Sequence, residues 1–120
     1  MKIYIATPVN ARSEATLEEK QKAAQQRCYA LREEIRKHYP DAEFWSSVTN
    51  VVIARKGLPE READIMGTCV RHVMLSDIVF FDWGYEQSKG CTVEHITALI
   101  YEKKIIHAYE LSIEQDTERK

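Results

Sequence analysis

The chain has 120 residues, 44% of them hydrophobic and 30% charged, enough for one core of sheet and helices and too apolar for a disordered segment. Seventeen basic residues against nineteen acidic ones give a net charge of -2, which argues against a binder driven by nucleic-acid phosphates but leaves room for a local basic pocket. No run approaches the roughly 20 apolar residues of a membrane-spanning helix, so neither a nucleic-acid polymer nor a membrane is an expected partner.

In chain order, Lys2–Ala6 (KIYIA) is a short β-rich run, too short and too polar at its end for a signal peptide, and the turn residues of TPVNAR end it. Thr16 followed by Glu19 fits a capping box and opens a long helix. Ala24, Cys28, Leu31 and Ile35 form its inward face. Tyr39-Pro40-Asp41 stops that helix, and Ala42–Val48 reads as a second strand. Thr49–Gly57 has no clean period. Pro59 starts a further helix with Ile65, Met66, Cys69, Val70, Val73 and Met74 inward. Asp77–Asp82 (DIVFFD) is apolar on both faces, as in a central parallel strand. A polar-aromatic loop leads to a helix from about Cys91 to Lys103, with Val93, Ile96 and Ile100 expected to face inward. Lys104–Tyr109 is another strand, and residues from about 110 to 120 form a polar tail. Cys28, Cys69 and Cys91, an odd number, read as reduced, partly buried thiols of a cytoplasmic protein.

Strands alternating with helices imply a single α/β domain over residues 1–120. It is a doubly wound parallel sheet of four or five strands, flavodoxin- or Rossmann-like. Ligands bind such sheets at the carboxyl ends of the strands. The loops after Ala6 and Asp82 should therefore meet, placing Thr7 to Arg12 and Trp83 to Glu94 in one crevice.

Three chemistries are weak. Cys69-x-x-His72 and Cys91-x-x-x-His95 have spacings zinc ligands sometimes use, but such pairs more often belong to core and surface, and no metal or other cofactor is expected. A phosphoacceptor domain needs clustered acids after its first strand, where this chain has ATPVNAR. A dinucleotide site needs G-x-G-x-x-G after a strand, and none is present. Glu94 is the better candidate. Placed three residues into a helix, near free N–H groups and the positive end of the helix dipole, it should be held ionised, as a carboxylate nucleophile requires. Decoration of a helix start accounts for the same placement.

KIYIATP, LSDIVFFDWGYEQSKGCTVEH and KKIIHAY together resemble the nucleoside 2-deoxyribosyltransferase-like superfamily, from Met1 to about Tyr109. The sharpest element is Ser88-x-Gly90-x-x-x-Glu94. The resemblance implies that Glu94 attacks C1′ of a ribosyl or deoxyribosyl group of a nucleoside or nucleoside 5′-monophosphate. Water or another base then resolves the glycosyl-enzyme. It makes Tyr4 the residue that orients Glu94, and Asp82 an acid able to protonate the leaving base. Thr7, Asn10, Arg12, Trp83, Ser88 and Gly90 are the candidate substrate-binding residues. Ser88 stands where monophosphate hydrolases carry Ser and free-nucleoside transferases carry Asp, which favours a phosphate bound by Ser88, the following helix start and Arg12. Helix capping is the other role open to Ser88. The chain departs from its relatives at Ala6-Thr7-Pro8, where a glycine is usual, and at Cys69, where the hydrolases have Asp. Relatives complete their sites across a dimer, so a homodimer or higher oligomer is expected. A nucleotide-binding module without turnover is the alternative.

Overall fold

The computed structural model describes residues 1–9, 16–50 and 59–115. Four strands, β1 (Lys2–Ala6), β2 (Glu43–Trp45), β3 (Ile78–Phe81) and β4 (Lys104–His107), form one parallel sheet in the order β2-β1-β3-β4. It is flanked by α1 (Leu17–Arg36), α3 (Pro59–Leu75) and α4 (Lys89–Ile100), with a single turn, α2 (Ser47–Asn50), after β2. This is the doubly wound, flavodoxin-like α/β arrangement, with four strands. No described helix is long and apolar enough to cross a membrane.

The alternation of side chains along parallel strands divides the interior into two layers. Ile3, Ile5, Ile78, Phe80 and Ile106 point to one face, where Ala24, Cys28, Leu31 and Ile35 of α1 cover them. Tyr4, Ala6, Val79 and Phe81 point to the other, against Cys69 and Val73 of α3 and Cys91 and Ala98 of α4. β1 and β3 are buried on both faces, which is why they carry almost nothing but apolar residues. Their amino ends are tied twice through Asp77, whose N–H donates to Lys2 O at 2.9 Å while its carboxylate accepts from Lys2 N at 2.8 Å.

The helix starts follow side-chain chemistry. Thr16 accepts from Glu19 N at 3.1 Å and caps α1, whose first turn carries Glu18 and Glu19 at the positive end of its dipole. β2 is shorter than Ala42–Val48, because Asn50 folds back and accepts from Ser46 N at 3.0 Å, turning the chain into α2. Residues 51–57 of the stretch without a period lie outside the described residues. The last strand ends at His107, and Ala108–Leu111 forms a 3-10 turn that takes Tyr109 out of the sheet.

The phase of α4 differs from expectation. Cys91, Glu94, Thr97 and Ala98 face the sheet, and Val93, Ile96 and Ile100 are exposed. Both sets recur at helical spacing, so periodicity defines the faces without saying which one is buried. Cys91, Thr97 and Ala98 are small enough for close approach of helix and sheet, and the longer aliphatic residues are left outside. At the end of α3, Met74 is likewise exposed.

Candidate functional site

β3 ends at the carboxyl edge of the sheet, and Asp82 continues its ladder by donating its N–H to Ala6 O at 3.0 Å. Gly84 then turns in the left-handed region at φ 80°, Tyr85–Gln87 makes a 3-10 turn, and Ser88 caps α4. The Ser88 hydroxyl oxygen accepts from Cys91 N at 3.3 Å, and its carbonyl accepts from Thr92 Oγ1 at 2.8 Å. The capping role open to Ser88 is therefore filled.

Because α4 begins at Lys89, Glu94 lies beyond the four free N–H groups of the first turn. Its carboxyl is only 3% exposed and leans back along the helix: a methyl group built on Gly90 would lie 3.9 Å from both Glu94 Oε1 and Ser88 Oγ. That is ordinary contact, so neither space nor backbone conformation demands glycine there. Among the described residues, Glu94 Oε2 and the hydroxyl of the fully buried Tyr4 both lack a hydrogen-bond partner. Tyr4 is near enough to bias the Glu94 proton, yet the two groups do not close a hydrogen bond of proper geometry.

Burial pushes the Glu94 carboxyl up to about 8, with Tyr4 pulling weakly the other way. The expected ionised carboxylate is thus corrected: desolvation outweighs the helix start once Glu94 sits more than a turn inside. Tyr4 is itself raised well above the ordinary phenol range, by burial first and then by Glu94 and Cys69. The Cys69 thiol is pushed up to about 11 by burial and then Glu94, so it keeps its proton at neutral pH. Tyr4, Cys69 and Glu94 form a buried centre in which burial favours the protonated form of each group.

Asp82 and Thr7 belong to the opposite face of the sheet. Asp82 is 2% exposed, and Arg27 of α1 grips it with two hydrogen bonds, Nε to Oδ2 at 3.0 Å and Nη2 to Oδ1 at 2.9 Å. Thr7 Oγ1 and Trp83 N each donate to the same carboxylate at 2.8 Å. Arg27 Nη2 continues to Glu114 O at 2.7 Å, and Trp83 Nε1 donates to Ile113 O at 2.8 Å, so this cluster also ties down the segment after β4. Asp82 and Glu94, two candidate catalytic carboxyls, are therefore separated by the sheet. Arg27 escaped the sequence reading, although a signal existed. It lies three residues after Ala24 and four before Leu31, on the buried stripe of α1, where an arginine requires an acid.

Of the remaining candidates, Asn10 and Arg12 lie outside the described residues. Tyr85 is half-buried among Phe81, His95 and His107, at ring separations of 5.0, 5.1 and 5.4 Å. Trp83 is partly exposed and 6.0 Å from Tyr109. The two Cys/His pairs point to different neighbours. Cys69 faces Tyr4 and Glu94, whereas His72 stacks on Trp45 at 3.9 Å and accepts at Nδ1 from Lys2 Nζ at 2.8 Å. Among the described residues, no three His, Cys, Asp or Glu side chains gather as a metal cage.

No protein-family model, no curated protein and no solved structure matches the chain.

Proposed function

We propose that the protein cleaves the N-glycosidic bond of a nucleoside or nucleoside 5′-monophosphate, with Glu94 as the nucleophile. The observation that carries this reading is the buried Glu94 carboxyl, whose Oε2 has no hydrogen-bond partner among the described residues, lying beside Tyr4. The transition state of glycoside cleavage is oxocarbenium-like, and its positive charge is stabilised by the ionised form of the carboxyl. Bond-making from Glu94 to C1′, as the C1′–N bond breaks, yields a glycosyl ester and a free base. Water then gives hydrolysis, and a second base gives transfer. Release of free base from a panel of nucleosides and nucleotides tests the reading, and no release from any of them overturns it.

Tyr4 orients the carboxyl in this scheme. Tyr4→Phe should cost less than removal of the Glu94 carboxylate, which it leaves in place. It should also move the pH midpoint of activity upward, since Tyr4 pulls the Glu94 proton affinity down. An unmoved midpoint refutes the orienting role.

For phosphate, the Ser88 oxygen is used in capping while its hydrogen is left to donate, next to the start of α4. The 5′-monophosphate should bind more tightly than its nucleoside, and Arg12→Ala should remove most of the difference. Calorimetry on one matched pair decides it, and equal affinities exclude a phosphate pocket.

A second reading, a nucleotide-binding module without turnover, is favoured by the engagement of Asp82 with Arg27, Thr7 and Trp83, which leaves the leaving base without its expected acid. Tight binding with no base release would select it.

A further inference from the structure

Three arginines lie along α1, and their charges are met differently. Arg27 is paired with Asp82, and Arg36 with Glu33 at 2.6 Å. Arg32, where α1 packs on α2, has no acid within ion-pair distance among the described residues. Its Nη2 donates to Thr49 Oγ1 at 2.8 Å, and its guanidinium lies 5.1 Å from the centre of the Tyr29 ring. Neither is a carboxylate. The Arg32 Nε is buried and has no hydrogen-bond partner among the described residues.

A second such donor stands nearby. Ser46, which follows β2, is fully buried, and its Oγ likewise closes no hydrogen bond of proper geometry among the described residues. The backbone of Ser46 is committed to α2: its N–H donates to Asn50 Oδ1 at 3.0 Å and its carbonyl accepts from Asn50 N at 2.9 Å. Only the hydroxyl remains. Both groups border the buried Cys28 thiol, which burial pushes up and which Ser46, then Arg32, pull back down. A thiol is a weak acceptor and cannot offset a guanidinium charge. Cys28, Tyr29, Arg32, Ser46 and Thr49 thus bring donors and one positive charge to the crevice between α1 and α2. Arg32 and Thr49 are half-buried, so the crevice meets solvent on their side.

A water molecule could accept from Nε and Oγ, but it would leave the guanidinium charge uncompensated where burial makes that costly. An oxyanion brings acceptors and the opposite charge together, and the planar fork of an arginine matches phosphate and carboxylate oxygens. Asp82 is the acid felt at Cys28, but its influence there is the least of those acting, and Arg27 already grips it. We infer that the crevice between α1 and α2 binds a small oxyanion, a phosphate or a carboxylate, through Arg32 and Ser46. Cys28 belongs to the layer between α1 and the sheet, whereas Tyr4 and Cys69, beside Glu94, belong to the layer on the other face. The anion therefore binds across the sheet from Glu94, and it is not the 5′-phosphate of a nucleotide whose C1′ meets that residue.

Calorimetric titration of the Arg12→Ala chain with inorganic phosphate, and separately with acetate, at fixed ionic strength tests this. The Arg12 substitution keeps the phosphate pocket proposed at Ser88 from contributing, so the outcome depends neither on that pocket nor on whether Glu94 reacts. At least one of the two anions should bind saturably, one per chain. Adding Arg32→Gln should weaken that binding roughly tenfold or more, and adding Ser46→Ala instead should weaken it about threefold, each with an unchanged circular dichroism spectrum. Arg32→Lys keeps the charge and the aliphatic stem but loses the fork, and it should fall between Arg32→Gln and the native residue. Lys37→Gln, which removes an exposed cation paired with Glu34, should leave the affinity unchanged. Failure of both anions to bind overturns the inference and leaves the two donors to a buried water. Binding that survives both Arg32→Gln and Ser46→Ala marks an adventitious ion only and also overturns it. If Arg32→Gln does not fold, Ser46→Ala and Arg32→Lys decide on the same terms.

Discussion

Glu94→Gln should abolish base release while leaving the fold intact. The amide keeps the shape of the protonated acid, but it cannot form a glycosyl ester or offset the oxocarbenium charge, and loss of such a group costs on the order of a hundredfold or more in rate. Wild-type activity in this variant would sink the nucleophile assignment. The pH profile sharpens the same test. A carboxyl raised to about 8 is mostly protonated at neutrality, so nucleophilic attack should accelerate with pH and level off above that value. A general acid would show the opposite limb, with activity falling as pH passes about 8.

The same substitution should stabilise the protein at alkaline pH. The Glu94 proton is held up to about pH 8 in the folded chain and lost near 4.5 in the unfolded one. Between those values the folded state binds more protons, so raising the pH costs the wild type stability. Below the window the cost is absent, and above it the full penalty remains. Gln carries no such linkage. The advantage of Glu94→Gln should grow by about 1.4 kcal/mol per pH unit across the window, reaching on the order of 4–5 kcal/mol before it levels off. Denaturant melts of both proteins at several pH values cancel the other titrating groups, and a constant difference would mean that Glu94 titrates like an exposed acid. A residue whose removal stabilises the fold is one retained at a cost in stability, as reactive groups often are.

Legibility in the sequence follows from how local each signal is. The β1 span, the apolar β3 and the Thr16 cap depend on a few adjacent residues, and the alternation of strands and helices was enough to imply the parallel order. Ser88-x-Gly90-x-x-x-Glu94 could be read as a loop entering a helix, and in the structure Ser88 Oγ and Glu94 Oε1 do converge on Gly90. The burial of α4 could not be read in the same way. Its large apolar residues and its small ones share one period, and the sheet takes the small set because helix and sheet then approach closely. The protonation of Glu94 follows from that misread phase, since on an outward face it would have stayed solvated. Asp82 was legible as the end of a central strand, but its partner stands 55 residues away on α1, a separation at which only the folded chain matches donor to acceptor.

That distant pair should dominate the response to mutation on its side of the sheet. The Asp82 carboxylate accepts from Arg27 twice, from Thr7 and from Trp83, enough to fill the roughly four lone-pair positions of an ionised acid. Arg27→Ala leaves this charge buried without its guanidinium, and breaking one side of a buried ion pair costs about 3–5 kcal/mol. Against a total of about 5–15 kcal/mol for a domain, the melting temperature should fall by on the order of 10–20 °C. Arg27→Lys should recover only part of the loss, because one ammonium cannot serve both Asp82 oxygens and Glu114 O in the fixed fork of a guanidinium. Adding Asp82→Asn to Arg27→Ala should also recover part, since the stranded charge disappears. A double-mutant cycle by denaturant melts measures the coupling, and a value below about 0.5 kcal/mol would place the pair with ordinary surface bridges. Asp82 is where β3 passes into the loop that ends at Ser88, so loosening it should also loosen the entry to α4 and the seating of Glu94. Arg27→Ala should therefore lower base release even at temperatures where the chain remains folded, although Arg27 and Glu94 lie on opposite faces of the sheet.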